Sequence, residues 1–170
     1  LGIHTHYVPS EQIDALKAEI LNGASPIEVA NRYDFSIPPA LEPHREAIDR
    51  LFAFDTVEEI FAALQADGSA WALEQLAILK TKSPTSLKVT LRHIREGAKA
   101  ASFDDNMAVE YAVSGRIGAT HDFQEGVRAV IVDKDNAPRW SPSDLSGVTD
   151  EALDALFAPL PENEKWTPLA

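Results

Sequence analysis

Apolar residues recur along most of this chain at the three- and four-residue spacing of a helix face, and short polar, Gly or Pro breaks divide the recurrence into segments. The first runs from Ser10, with Ile13, Leu16 and Ile20 on one face and Gly23 as its stop. Ser25-Pro26-Ile27-Glu28 predicts a capping box with proline at the first helical position, where its missing N–H costs nothing. Thr56-Val57-Glu58-Glu59 predicts a second box, ahead of Val57, Ile60, Phe61 and Leu64 at helical spacing and a stop at Asp67-Gly68. Ser69 is a candidate cap for a helix with Ala72, Leu76 and Leu79 inward. Ser83-Pro84 opens another, whose apolar positions include Leu87, Leu91, Ile94 and Ala98, and a further helix around Asp104 to Ser114 carries Met107 and Tyr111 one turn apart. Asp122 and Glu125 stand three apart and predict a third reciprocal cap, followed by Val127, Val130 and Ile131 on one apolar face. Gly126 inside that helix costs about 1 kcal/mol relative to Ala, so a neighbour is expected close to its backbone. Ser141-Pro142, a helix over Thr149 to Phe157 and a proline-rich tail complete the pattern.

One segment departs from it. LGIHTHYVP alternates, with Leu1, Ile3, Thr5 and Tyr7 on one face and His4, His6 and Val8 on the other, and Pro9 ends it. The alternation predicts a strand over about residues 1–8. Nothing downstream offers it a partner, and a lone strand leaves backbone donors and acceptors unpaired. Its partners are expected in an upstream part of a longer polypeptide, which fits a chain that starts at Leu1. The expected fold class is mostly α with one leading strand, divided into residues 1–9 and a helical domain over residues 10–170.

Composition narrows the function. The chain has 170 residues, 45% of them hydrophobic, enough for one sizeable core. With 27 acidic against 15 basic residues the formal charge is −12, and no basic stripe is present to meet nucleic-acid phosphates or an anionic membrane. There is no cysteine, hence no disulfide, thiolate metal site or Cys nucleophile. No apolar run approaches the ~20 residues that cross a bilayer, and no targeting segment is visible.

Candidate chemistry is sparse. Asp133-Lys134-Asp135-Asn136 invites a calcium-loop reading, but Ala137 lacks the fifth-position oxygen and Pro138 cannot make the sixth-position turn, so a helix stop or ligand-facing turn is preferred. His4 and His6 lie two apart, a spacing found in some zinc sites; hydrogen-bonded strand histidines are the alternative. His44, His93 and His121 are scattered. Ser114-Gly115 lacks the first Gly of a nucleophile elbow, and no P-loop or GxGxxG occurs. Glu58-Glu59 and Asp104-Asp105 read as helix starts favoured by the macrodipole. Lys88 and Arg92, in the LKVTLRH run, read as an ordinary exposed face. Lys134 leaves a helix end beside a turn and could reach a phosphate, although Asp133 and Asp135 offer it a local ion pair.

Five stretches, taken together, carry a resemblance. THYVPSEQIDAL, DTVEEIFAALQADGSAWALEQLAIL, KSPTSLKVTLRHIREG, MAVEY and HDFQEGVRAVIVDKDNAPRWSPSDL resemble, in order and spacing, the C-terminal half of the 3-hydroxyisobutyryl-CoA hydrolases. These belong to the enoyl-CoA hydratase/isomerase (crotonase) superfamily. The resemblance implies the helical C-terminal region of a crotonase-like α/β fold, with residues 1–9 the last strand of its spiral core. It implies an acyl-CoA substrate, no separate cofactor, and thioester hydrolysis by carboxylates and oxyanion-hole N–H groups upstream of Leu1. None of those catalytic residues matches a position here. Hydration or isomerisation of an enoyl-CoA within the superfamily, and a non-catalytic helical interaction module, are the alternatives. The expected partners are the N-terminal half and further copies of the same subunit, in the cytoplasm of a bacterium or the mitochondrial matrix of a eukaryote. In crotonases the helix resembling Phe123 to Val132 often ends in an aromatic residue and a lysine that touch CoA. Here Val130 stands for the aromatic, and Lys134 falls about one residue out of phase as the candidate CoA-phosphate contact.

Overall fold

The computed structural model describes residues 5–35 and 41–167. The chain divides into two compact units, Leu1–Ile48 and Asp49–Ala170.

In the first unit a single 3-10 turn at Ser10–Gln12 leads into α1 (Ile13–Leu21), which Gly23 ends with φ 93°, a value that suits a residue without Cβ. The following helix, α2 (Pro26–Arg32), returns against α1. Glu19 of α1 fastens the pair: it accepts from the Tyr33 hydroxyl at 2.7 Å and from the Arg32 guanidinium. Both bonds lower the pKa of Glu19, the tyrosine hydroxyl more than the guanidinium. The capping box expected at Ser25–Glu28 does not form. No side-chain bond reaches the start of α2; Pro26 removes one donor that would need an acceptor, and Val29 N–H bonds the Ser25 carbonyl at 3.0 Å.

The leading strand is also corrected. Residues 1–4, including His4, lie outside the described residues, and residues 5–8 are irregular. A strand exists only where a neighbour supplies a ladder of backbone bonds. The Tyr7 N–H instead donates to the Asp34 carboxylate at 2.8 Å, and its carbonyl accepts from Phe35 N–H at 2.9 Å. That satisfies the backbone locally without a sheet.

The second unit begins within α3 (Arg45–Leu51) and continues through α4 (Val57–Asp67), α5 (Ala70–Lys80), α6 (Pro84–Gly97), α7 (Phe103–Ile117), α8 (His121–Val127) and α9 (Asp150–Phe157). Thr56 and Glu59 make the reciprocal box expected of them: Thr56 Oγ1 accepts from Glu59 N–H at 3.2 Å, and Glu59 Oε2 from Thr56 N–H at 3.1 Å. Gly68, at φ 69°, closes α4, and Ser69 caps α5. Ser83 caps α6 ahead of Pro84. Val89 of α6 packs with Val113 of α7, Val148 and Leu153 of α9 in the buried core of this unit.

That core turns α6 away from the orientation its apolar stripe suggests. Val89 is buried, whereas Leu87 and Leu91 are half-buried and Ile94 is 66% exposed. Lys88 and Arg92, expected on an exposed face, are partly buried ties between helices. Lys88 pairs with Glu58 of α4 at 2.7 Å, and Arg92 pairs with Asp154 of α9 at 2.7 Å and lies 4.4 Å over the Phe157 ring. The stripe formed by Leu87, Leu91 and Ile94 lines an open apolar cleft of about 390 Å³ with Phe52, Ile60 and Leu79.

The two predicted boxes behave differently, and substitution separates them. Thr56→Ala removes a formed cap and should lower the stability of the folded protein by about 1 kcal/mol. Ser25→Ala removes a hydroxyl that caps nothing and should cost less than about half as much. Urea unfolding of the two variants checks the contrast, and equal losses would contradict it.

Candidate functional site

The segment from Thr120 to Ser141 gathers the side chains with chemical potential. Thr120, not Asp122, caps α8: its Oγ1 accepts from Phe123 N–H at 3.3 Å. The box expected from Asp122 and Glu125 fails because both carboxylates have other partners, Ser83 and Ser141 for Asp122, Arg128 and Arg139 for Glu125. Asp122, only 4% exposed, accepts from the Ser83 hydroxyl at 2.5 Å and from Ser141 N–H at 2.7 Å. Ser83 in turn accepts from Ser86 N–H at 3.0 Å, so one buried carboxylate joins the start of α6, the first turn of α8 and the loop at Ser141. A buried carboxylate without a cation is tolerable only when it is hydrogen-bonded in this way.

After α8 the helix widens. Arg128–Val132 forms a π-helical turn, closed by Asp133 N–H on the Arg128 carbonyl at 2.8 Å. Asn136 N–H bonds the Ala129 carbonyl at 3.0 Å, and Lys134 and Asn136 both take left-handed backbone, at φ 56° and 52°. The polar break is therefore a helix stop, as preferred over a calcium loop, and its organiser is Arg128. The Arg128 guanidinium forks onto Glu125 through Nε and Nη2 at 2.8 Å each, and Nη1 reaches Asp133 and Asp135 at 2.7 Å each. The Arg128 fork, followed by a bond from Arg139 N–H, depresses the Glu125 carboxyl to about 2. Asp135 is also lowered, first by Arg128 and then by Ala137 N–H, while the three carboxylates raise Arg128.

Lys134 stands between two residues whose carboxylates are committed to Arg128. It is exposed, and among the described residues it makes no ion pair. The Arg139 side chain is likewise exposed, with no carboxylate partner among the described residues. Trp140 is the neighbour of Gly126, but a Cβ there would meet its ring at 3.5 Å, an ordinary contact, so the approach by itself does not require glycine. Trp140 Nε1 donates to the Thr81 carbonyl at 2.9 Å. The result is an open hollow of about 360 Å³ lined by Lys82, Phe123, Val127, Val130, Ile131 and Trp140, among others. Val130, expected in place of an aromatic, is 58% exposed there, and Phe123 and Trp140 supply the aromatic surface.

Of the remaining candidates, His6 and His93 lie outside this segment and His121 lies at its start. His6 uses both ring nitrogens, toward Thr5 Oγ1 at 2.8 Å and Asn31 Oδ1 at 2.7 Å. No group of three or more His, Cys, Asp or Glu residues among the described residues could hold a metal. His93 meets Phe157 edge-on, and His121 Nε2 lies 3.0 Å from the Arg139 carbonyl. Lys82 is the cation in the lining of the hollow, with aromatic and apolar surface around it, and Lys134 and Arg139 do not line it; Ser83 and Asp122 are committed to structure. Sequence reasoning missed Arg128 and Trp140. The signal for Arg128 was a single arginine with carboxylates three before and five and seven after it.

Known proteins resemble this chain in sequence and fold. A family model described as enoyl-CoA hydratase/isomerase matches residues 1–157. The chain is 41% identical to the mitochondrial 3-hydroxyisobutyryl-CoA hydrolase of Danio rerio, over 96% of this chain and 46% of that protein. It is 42% identical to the Homo sapiens protein of the same name, over 94% of this chain and 44% of that one. The chain thus spans about half the length of the curated relatives it matches. Among solved structures, a carnitinyl-CoA dehydratase from Mycobacterium thermoresistibile shares 35% identity at a TM-score of 0.82, covering 92% of this chain and 45% of its own. An enoyl-CoA hydratase from Rhodobacter sphaeroides 2.4.1 shares 34% at 0.78, covering 98% and 48%.

The depressed Glu125 carboxyl gives the site a pH signature. A folded pKa of about 2 against an ordinary 4.5 stabilises the folded state above pH 4.5, and that contribution is lost as pH falls from 4.5 toward 2. Glu125→Gln should be less stable than the parent at pH 7 and should show a shallower fall in Tm between pH 5 and 2.5. Parallel Tm–pH curves for the two proteins would mean that the Arg128 fork does not stabilise the fold.

Proposed function

Because the chain belongs to the enoyl-CoA hydratase/isomerase family, we propose that it is the C-terminal part of an acyl-CoA thioester hydrolase acting on 3-hydroxyisobutyryl-CoA. The observation that carries this reading is identity of 41–42% to 3-hydroxyisobutyryl-CoA hydrolases along nearly the whole chain. Identity to the solved dehydratase and hydratase is lower, at 34–35%.

In this reading, acid–base carboxylates and oxyanion N–H donors come from the half of the relatives' length that the chain does not span. The carboxylates take a proton from water as it adds to the thioester carbonyl and return one to the departing CoA thiolate, while the N–H donors stabilise the oxyanion. The helical part contributes surface. The apolar cleft along α6 fits burial against the catalytic half or against a second subunit, and an oligomer of identical subunits belongs to the same proposal. Among the described residues no helix is long and apolar enough to cross a membrane, and the eukaryotic relatives are named mitochondrial. A matrix enzyme in a eukaryote, or a cytoplasmic one in a bacterium, fits both.

Lys134 is the proposed contact to a CoA phosphate. Arg128 occupies the adjacent carboxylates and leaves the ammonium without an ion pair among the described residues. The test uses the full-length polypeptide with 3-hydroxyisobutyryl-CoA and an enoyl-CoA, measuring released CoA thiol and hydration in parallel. CoA release from the first substrate is the expected result. Hydration of the second without release from the first would replace the hydrolase by a hydratase of the same family, a reading the dehydratase-like fold keeps open. Lys134→Ala should raise KM for the acyl-CoA by ~5–10-fold with kcat little changed, as expected when a contact of uniform binding is removed.

A further inference from the structure

We propose that Arg128 is a positioning residue for Lys134, keeping the neighbouring carboxylates off its ammonium so that Lys134 can meet an anion. The inference rests on the reading of Lys134 as a phosphate contact and adds the device that makes such a contact workable in an acidic chain.

Lys134 lies between Asp133 and Asp135, and either carboxylate is near enough in sequence to capture its ammonium. Both are instead drawn to a single nitrogen of Arg128, at 2.7 Å each. Two side chains flanking Lys134 thus converge on one point, while Lys134 itself has left-handed backbone and makes no ion pair among the described residues. The geometry needs a guanidinium. Nε and Nη2 are committed to Glu125, Nη1 serves both aspartates, and Nη2 also lies 3.4 Å from the Ala137 carbonyl. An ammonium is a single point with three donors and cannot span that set.

The charges in the segment agree with this division. Glu125, Asp133 and Asp135 face one guanidinium, which leaves an excess of negative charge on that side. Lys134 and Arg139, neither paired with a carboxylate among the described residues, offset it from exposed positions. Without Arg128 the three carboxylates would be left with Lys134 and Arg139 as the cations of the loop, and a ligand phosphate at Lys134 would compete with its two flanking aspartates.

The prediction is a coupling. In the full-length polypeptide, KM would be measured for 3-hydroxyisobutyryl-CoA and for its N-acetylcysteamine thioester, which has the same acyl group and no phosphate. The proteins are the parent, Arg128→Met, Lys134→Ala and the double variant. Arg128→Met should raise KM for the CoA thioester several-fold, approaching the effect of Lys134→Ala, and should add less than twofold once Lys134 is absent. KM for the truncated thioester should move by less than twofold throughout. Arg128→Lys, which retains the charge, serves if Arg128→Met does not fold; it should show a smaller rise with the same dependence on Lys134.

The failures are distinct. If Lys134→Ala leaves KM for the CoA thioester unchanged, the phosphate-contact reading falls and this inference falls with it. If Lys134→Ala raises KM while the Arg128 variants do not, or do so equally with and without Lys134, the contact stands and the positioning role is wrong. Equal effects of an Arg128 variant on both thioesters would mark a general structural role and overturn the proposal too.

Discussion

The segment that carries the site is held by one buried carboxylate. Asp122 makes no ion pair among the described residues, so its burial depends on the hydrogen bonds it accepts from Ser83 and Ser141. Ser83 is also the N-cap of α6, and Ser141 follows Trp140 in the loop beyond the π turn. A single side chain therefore fixes where α8 begins relative to α6 and where the returning loop is anchored. Trp140 can then lie against Gly126 with its indole N–H on Thr81, and the Arg128 cluster closes between those supports. Removing that acceptor would leave the Ser83 hydroxyl buried without its partner, at a typical cost of about 1–3 kcal/mol.

Local features were legible in the sequence where the answer was also local. Thr56 and Glu59 satisfy each other within one turn, and Gly68 stops α4 because only its own backbone needs the left-handed conformation. The same motif at Asp122 and Glu125 misled, because Ser83 and Ser141 compete for one carboxylate, and Arg128 and Arg139 for the other. The alternation in residues 1–8 had the same weakness: whether it becomes a strand depends on a neighbour, and Tyr7 finds Asp34 and Phe35. On α6 the period was right and the burial was not. Val89, outside the main stripe, meets the core of its unit, while Ile94 faces outward. For the site, Lys134 could be singled out as a helix-end cation. The role of Arg128 could be read by helical spacing only in part: Glu125 lies three residues before it, but Asp133 and Asp135, five and seven after it, lie beyond the widened turn.

The likeness to hydrolases, a dehydratase and a hydratase is what a shared scaffold gives when chemistry is grafted onto it elsewhere. Packing around Val89, Val113, Val148 and Leu153 asks only for volume and shape, and can persist under different reactions. A cationic point in a chain of net charge −12 is a more demanding feature, because the surroundings must be kept from neutralising it.

The π turn at Arg128–Val132 has a consequence for how this chain can change over evolutionary time. Such a turn amounts to one extra residue inserted in an α-helix. Loss of any one residue there would let the ordinary helical bond re-form and rotate all that follows by roughly 100°, the angle per residue of a 3.6-residue turn. For any deletion within Ala129 to Val132, the acidic side chains would then leave the guanidinium, whichever of those residues had been lost. From Ala129 to Val132 the chain is constrained by length before it is constrained by identity, and point substitutions there should be better tolerated than single-residue deletions.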